Sequence, residues 1–225
     1  MTSAVARLSD LAEGQWGLVT RAQARQLGIA WSTLSQLANP GGALERVAHG
    51  VYRLRGSADP GHLSLRAAWL QLDPATPAWE RLDQPERALV SHSSAAVLYD
   101  VGDLRADTHE FTLPVRRQTR RPDLRLHRGQ VPDQDWLILH GLPTTRAGRM
   151  IADLLADHHA PETVAQIVRE VLDQVYDYPA VVAEKLSRFA TRFNLPSNDG
   201  VGLLDLLLTM SGHPQRDRLV LEARS

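Results

Sequence analysis

Ser91-His92-Ser93 sets an imidazole between two hydroxyls, the residue types of nucleophilic catalysis. A serine nucleophile also needs an oxyanion loop and an acid to orient its base, and neither is legible nearby. Ser91 and its polar neighbours read instead as the cap of a helix that begins at His92. Asp153, Asp157, His158, His159 and Glu162 have the residue types of a metal site. Adjacent histidines diverge on a helix, so a helix end before Pro161 explains the same residues, and no metal or other cofactor is expected. Arg116-Arg117-Gln118-Thr119-Arg120-Arg121 is a cationic run, and residues 105–128 carry seven arginines against three carboxylates. It reads as a solvated loop between strands, or as a second contact for nucleic acid or an acidic partner through Arg116, Arg117, Arg120 and Arg121. Aromatic residues for stacking single-stranded bases are absent there. A last group, Ser32, Thr33, Ser35 and Gln36, lies between Arg21 on one side and Arg46, His49 and Arg53 on the other. Glutamine can bond adenine twice, and serine or threonine serves bases or phosphates.

Enzyme classes are narrowed by what is missing. A nuclease needs Asp, Glu and Lys clustered about a strand, but Lys185 is the only lysine and falls in a helical pattern. No Gly-Ser loop precedes paired aspartates, as a nucleotidyltransferase requires, and no Walker-type glycine-lysine loop is present. Cysteine is absent, which excludes disulfides, thiol nucleophiles and Cys-containing zinc sites. No catalytic activity is expected. The net charge of −1 argues against a uniformly basic nucleic-acid binder, yet it is unevenly spread. Residues 1–58 hold six arginines against three carboxylates, whereas residues 153–225 hold seven cations against eleven carboxylates. The acidic end suits a protein partner or self-association better than DNA, and an ordinary solvated helical face explains it equally well. The N-terminal stretch lacks a signal-peptide apolar run, and the longest apolar run, Val201 to Met210, is too short to span a bilayer. A cytoplasmic protein without membrane contact is expected.

The elements that would position these residues follow from periodicity. Val5, Leu8, Leu11 and Ala12 predict a helix ended by Gly14 and Gly17. Thr20 to Gln23 has the form of a capping box opening a second helix, which Gly28 closes. A third helix spans Trp31 to Ala38, stopped by Asn39-Pro40-Gly41-Gly42, and a hairpin joins Leu44–Val47 to Val51–Leu54 around Gly50. Helix, helix, tight turn, helix and hairpin is the order of a winged helix-turn-helix, with the third helix as the major-groove reader. A helix is predicted over Leu63–Leu72, a loop from Asp73 to Glu86, a strand at Ala88–Ser91 and a helix from His92 to Tyr99. Strands are predicted at Glu110–Leu113, Leu124–His127 and Trp136–His140. Val164, Ile167, Val168, Val171, Leu172 and Val175 mark a strongly amphipathic helix, and Val182 to Phe193 another.

Gly17-Leu18-Val19-Thr20-Arg21-Ala22-Gln23-Ala24, the Leu27-Gly28-Ile29 turn, and Leu44-Glu45-Arg46-Val47 followed by Gly50-Val51-Tyr52-Arg53 resemble the winged-helix domain of AbiEi-type antitoxins of type IV toxin–antitoxin systems. Ser91-His92-Ser93-Ser94-Ala95-Ala96 and Gly141-Leu142-Pro143-Thr144-Thr145-Arg146-Ala147 extend the resemblance, which covers roughly residues 8–175. The sequence departs from the family pattern at Ala30 and Trp31, where a Ser or Thr cap and a basic residue are usual. The resemblance implies a repressor of its own operon that also counteracts a nucleotidyltransferase-like partner toxin.

The expected fold is α+β: a winged helix-turn-helix over residues 1–58, then a mixed α/β antitoxin domain over residues 59–225 that ends in helices. The expected function is binding of double-stranded promoter DNA. Ser32, Thr33, Ser35 and Gln36 would face bases, and Arg21, Arg46, His49 and Arg53 the backbone or wing. The alternatives are a protein-interaction module whose winged helix no longer reads DNA and, more weakly, a metal-dependent enzyme using the residues around His158.

Overall fold

The computed structural model describes residues 3–84, 87–105 and 107–224. The chain forms two compact units, Met1–Ala88 and Leu89–Ser225. The first opens with helix α1 (Ala4–Glu13), whose first turn is capped by the Ser3 hydroxyl accepting from the Ala6 amide. Strand β1 (Leu18–Thr20) leads into α2 (Arg21–Gln26) through a complete capping box. Thr20 Oγ1 accepts from the Gln23 amide while Gln23 Oε1 accepts from the Thr20 amide. Gly28, at φ 70°, makes the left-handed turn into α3 (Trp31–Leu37). The wing consists of β2 (Leu44–Ala48) and β3 (Val51–Leu54), with Gly50 at φ 70° in the turn and a bulge between Arg46 and Ala48. Leu8, Ala12, Val19, Ala24, Ile29, Leu34, Leu44 and Tyr52 fill the core between these elements.

The hairpin supplies the central strand and one edge strand of a three-stranded antiparallel sheet ordered β1-β3-β2. The periodicity argument did not reveal β1, because three buried residues show no alternation. The unit also extends past the winged helix into α4 (Leu63–Leu72) and α5 (Ala78–Leu82). The expected loop from Asp73 to Glu86 therefore contains a helix, and its residues Pro85 and Glu86 lie outside the described residues. Hydrogen bonds tie the turn between α4 and α5 to the winged helix. The Thr20 hydroxyl donates to the Pro74 carbonyl, Gln23 Nε2 donates to Thr76 O, and Gln15 Oε1 accepts from the Ala78 amide. Trp69 is buried beneath the Arg81 guanidinium, 3.5 Å from its ring centroid.

The second unit is built on a mixed five-stranded sheet ordered β6-β5-β4-β8-β7. Its strands are β4 (Leu89–Val90), β5 (His109–Leu113), β6 (Leu124–Arg128), β7 (Trp136–Leu139) and β8 (Leu142–Thr145). The predicted strand at Trp136–His140 stops one residue earlier, since His140 turns at φ 49° into Gly141 and starts a hairpin with β8. Strand β8 was not predicted; its Pro143 and two threonines mask it. Helices α6 (His92–Tyr99), α7 (Ala147–Ala156), α8 (Pro161–Asp173), α9 (Pro179–Leu186), α10 (Gly200–Met210) and α11 (Arg216–Glu222) complete the unit. The apolar stripe of α8 is buried from Val164 to Leu172. The amphipathic helix expected over Val182–Phe193 is divided: after Leu186 the chain tightens into a 3₁₀ segment, Ser187–Phe193, ended by Asn194 at φ 58°. The expected α+β class, with helices at the C-terminal end, is the observed one. Among the described residues, no helix is long and apolar enough to cross a membrane.

Candidate nucleic-acid interface

Helix α3 buries Leu34 in the core and turns its opposite side outward. Ser32 and Gln36, one helical turn apart, are exposed, and Thr33 and Ser35 are half-buried beside them. Ala30 supplies no side-chain cap. Trp31, at the first helical position, remains 50% exposed. The Arg21 guanidinium lies 4.2 Å above the Trp31 ring, so a cation stands at the start of the helix although the helix itself carries none there. The Arg21 amide also donates to the Gly50 carbonyl, which joins the wing turn to the first residue of α2. Arg46 and His49 are exposed on the wing, with an Arg46 nitrogen 3.3 Å from His49 Nδ1. From α4, Gln71 Nε2 donates to the His49 carbonyl and braces the wing turn.

Arg53 is placed differently. It lies on the central strand, opposite Glu45, and its side chain is only 18% exposed. One guanidinium nitrogen donates to Glu45 Oε1 at 3.1 Å and another to the Ser57 carbonyl at 2.6 Å. Arg21, Ser32, Gln36, Arg46 and His49 are thus the exposed members of the expected set, and Arg53 is committed to the sheet. Trp31 and Gln71 were not anticipated. A tryptophan after an alanine cap carries no binding signature, and the brace comes from a helix outside the winged helix.

The arginine run lies in residues 114–123, the connection between β5 and β6. These strands are parallel, so the connection must return along the sheet, and it does so in ten residues. Arg116, Arg117 and Arg120 are exposed, whereas Arg121 forms a two-pronged pair with Asp123. That pairing holds the Asp123 carboxyl below the usual range.

The other candidate chemistry lies in the second unit. Ser91 does not cap α6 with its side chain. Its Oγ lies 3.0 Å from His92 Nδ1 and accepts from the Thr112 hydroxyl at 2.9 Å. Glu110 and Thr112 share a face of β5, and in register beside them Arg125 and His127 share a face of β6. His127 Nε2 is 2.8 Å from Glu110 Oε2, and the His127 and His92 rings stack at 3.5 Å and 10°. Burial pushes the His92 imidazole down to about 3, aided by His127 and opposed by Asp157. The residues around His158 are not brought together as a metal site. Asp153 pairs with Arg149, Asp157 with Arg125 in a two-pronged contact, and His158 with Arg192. Among the described residues, the group with ligand atoms close enough to share an ion is His92, Glu110 and His127.

Residues 6–55, within the N-terminal unit, match the family model described as "Transcriptional regulator, AbiEi antitoxin", consistent with the winged-helix pattern of these elements. No curated protein matches the chain. Among solved structures, the chain is similar to the RV2827C protein from Mycobacterium tuberculosis. The TM-score is 0.55 at 17% identity, and the match covers 100% of this chain and 83% of that one. Identity at that level speaks for a shared fold.

Proposed function

We propose that this chain binds double-stranded promoter DNA as the autorepressing antitoxin of a toxin–antitoxin pair. The observation that carries the reading is the outward side of the winged helix. Arg21 on Trp31, Ser32, Gln36, Arg46 and His49 are exposed at the start of the recognition helix and on the braced wing. Among the described residues, neither Arg21 nor Arg46 pairs with a carboxylate, which leaves both guanidinium groups to phosphates. Ser32 and Gln36 supply hydrogen-bonding groups at base-edge height, with Thr33 and Ser35 behind them. The winged helix over residues 1–58 is assigned to DNA, and residues 59–225 to the antitoxin role, counteracting a nucleotidyltransferase-like toxin in the cytoplasm. No catalytic step is required of the chain.

The test is fluorescence anisotropy of a labelled duplex covering the region upstream of the gene, titrated with the full chain at several salt concentrations. Binding that weakens steeply with salt and prefers this duplex to a scrambled one is expected. Gln36→Ala should relax preference at a single base pair, worth about 1–3 kcal/mol of discrimination. Absence of binding, together with rescue of cells from the neighbouring gene's toxicity by residues 89–225 alone, would show an interaction module instead.

A further inference from the structure

His92, Glu110 and His127 are far apart in sequence and meet because β5 lies between β4 and β6. Each offers one ligand atom, and these atoms lie within 4.8 Å of one another. Glu110 and His92 are buried, while the His127 side chain is 17% exposed and opens the group to solvent. We propose that these residues form a binding site for a divalent d-block cation of the zinc class. Two imidazoles and one carboxylate are a donor set that zinc accepts, and three protein ligands leave a position for water or a further ligand.

The surroundings are those of a prepared site. On binding, the proton between His127 Nε2 and Glu110 Oε2 leaves to solvent or moves to His127 Nδ1, and both atoms become ligands. When Nδ1 of His92 donates to Ser91 Oγ, Nε2 carries the lone pair, and Thr112 in turn fixes the Ser91 hydroxyl. Nearby cations are already matched: Arg125 is held by Asp157, and Arg149 by Asp153 with Asp135 beyond. His92 adopts φ 51° as the first residue of α6, a left-handed backbone that survives where surrounding structure imposes it. That conformation sets the His92 ring against His127. Binding turns the two stacked rings out of parallel so that their lone pairs meet at one point.

The experiment uses the untagged full chain, stripped with a chelator and titrated with zinc by calorimetry and with cobalt by visible absorption. One ion per chain is expected, with the intense visible bands of four-coordinate cobalt and shifts of the His92 and His127 imidazole NMR signals. His127→Gln and Glu110→Gln should weaken zinc binding more than about 100-fold, and Ser91→Ala about 10-fold, as loss of an outer partner does. His159→Ala should change nothing. Wild-type chain that binds neither metal overturns the site whether or not the variants fold. So does zinc binding that His127→Gln leaves intact or that His159→Ala abolishes.

Discussion

The different placements of Arg46 and Arg53 yield opposite outcomes for the same substitution. Arg46 is exposed on the wing, and among the described residues its polar partners are the Ala48 carbonyl and the His49 ring. Arg53 is turned inward onto Glu45 and the Ser57 carbonyl, and its Nε is buried. If Arg46 neutralises one phosphate, Arg46→Ala removes about 0.9 from the slope of log affinity against log salt. Between roughly 50 and 200 mM salt that slope change amounts to about 3.5-fold, on top of a uniform loss at the lower salt. Stability should not change, because no buried contact is lost. Arg53→Ala loses a cross-strand ion pair and a hydrogen bond to a carbonyl. Water reaches Glu45 and screens the pair, so the sum is about 1 kcal/mol. Its thermal midpoint should fall by a few degrees while its salt slope stays that of the wild type. Anisotropy across a salt series, with thermal unfolding of each variant, separates the two. An unchanged slope in Arg46→Ala, or a reduced slope with unchanged stability in Arg53→Ala, would refute the assignment.

Other expectations concern the framework. Gly200→Ala would put a Cβ 1.9 Å from the Ala183 carbonyl oxygen, so α10 cannot seat on α9; a loss of about 2–3 kcal/mol in urea unfolding is expected. Trp69→Ala empties a fully buried site beneath Arg81 and should cost about 3–5 kcal/mol, read from the same measurement. Burial pushes the Asp157 carboxyl up, but the Arg125 fork outweighs it and holds the group below its usual 3.8. A carboxyl depressed in the folded state stabilises above its unfolded value and loses that contribution as pH falls through the folded one. The stability gap between wild type and Arg125→Gln should therefore be full at neutral pH and close as acid protonates Asp157. A gap that widens in acid would overturn this.

Much of the winged helix was legible because its signals are local. The Thr20 capping box, the Gly28 turn and the Leu44–Leu54 hairpin each depend on a few neighbouring residues, and all form as read. The strands β1 and β8 escaped because every residue of each is buried, so neither shows alternation; pairing with neighbouring strands is what makes them strands. The hydroxyl of Ser91 illustrates a different failure. A serine before a helix reads as a cap, yet the Thr112 hydroxyl donates to its oxygen from the neighbouring strand and the adjacent His92 ring lies against it.

The sequence by itself determined the α+β class and the helix, turn, helix and hairpin order of the N-terminal unit, because capping, turns and helical periodicity act within a few residues. It also carried the uneven charge that separates a cationic winged helix from an acidic helical end. Only the tertiary structure decided which arginines are spoken for. Arg53 looked equivalent to Arg46 until the strand register set it against Glu45. Likewise the histidines that stand next to one another in sequence, His158 and His159, take separate partners, while His92 and His127 meet across 35 positions. Spacing along a chain fixes which side of one element a residue occupies. Pairing between strands decides which side chains share a site.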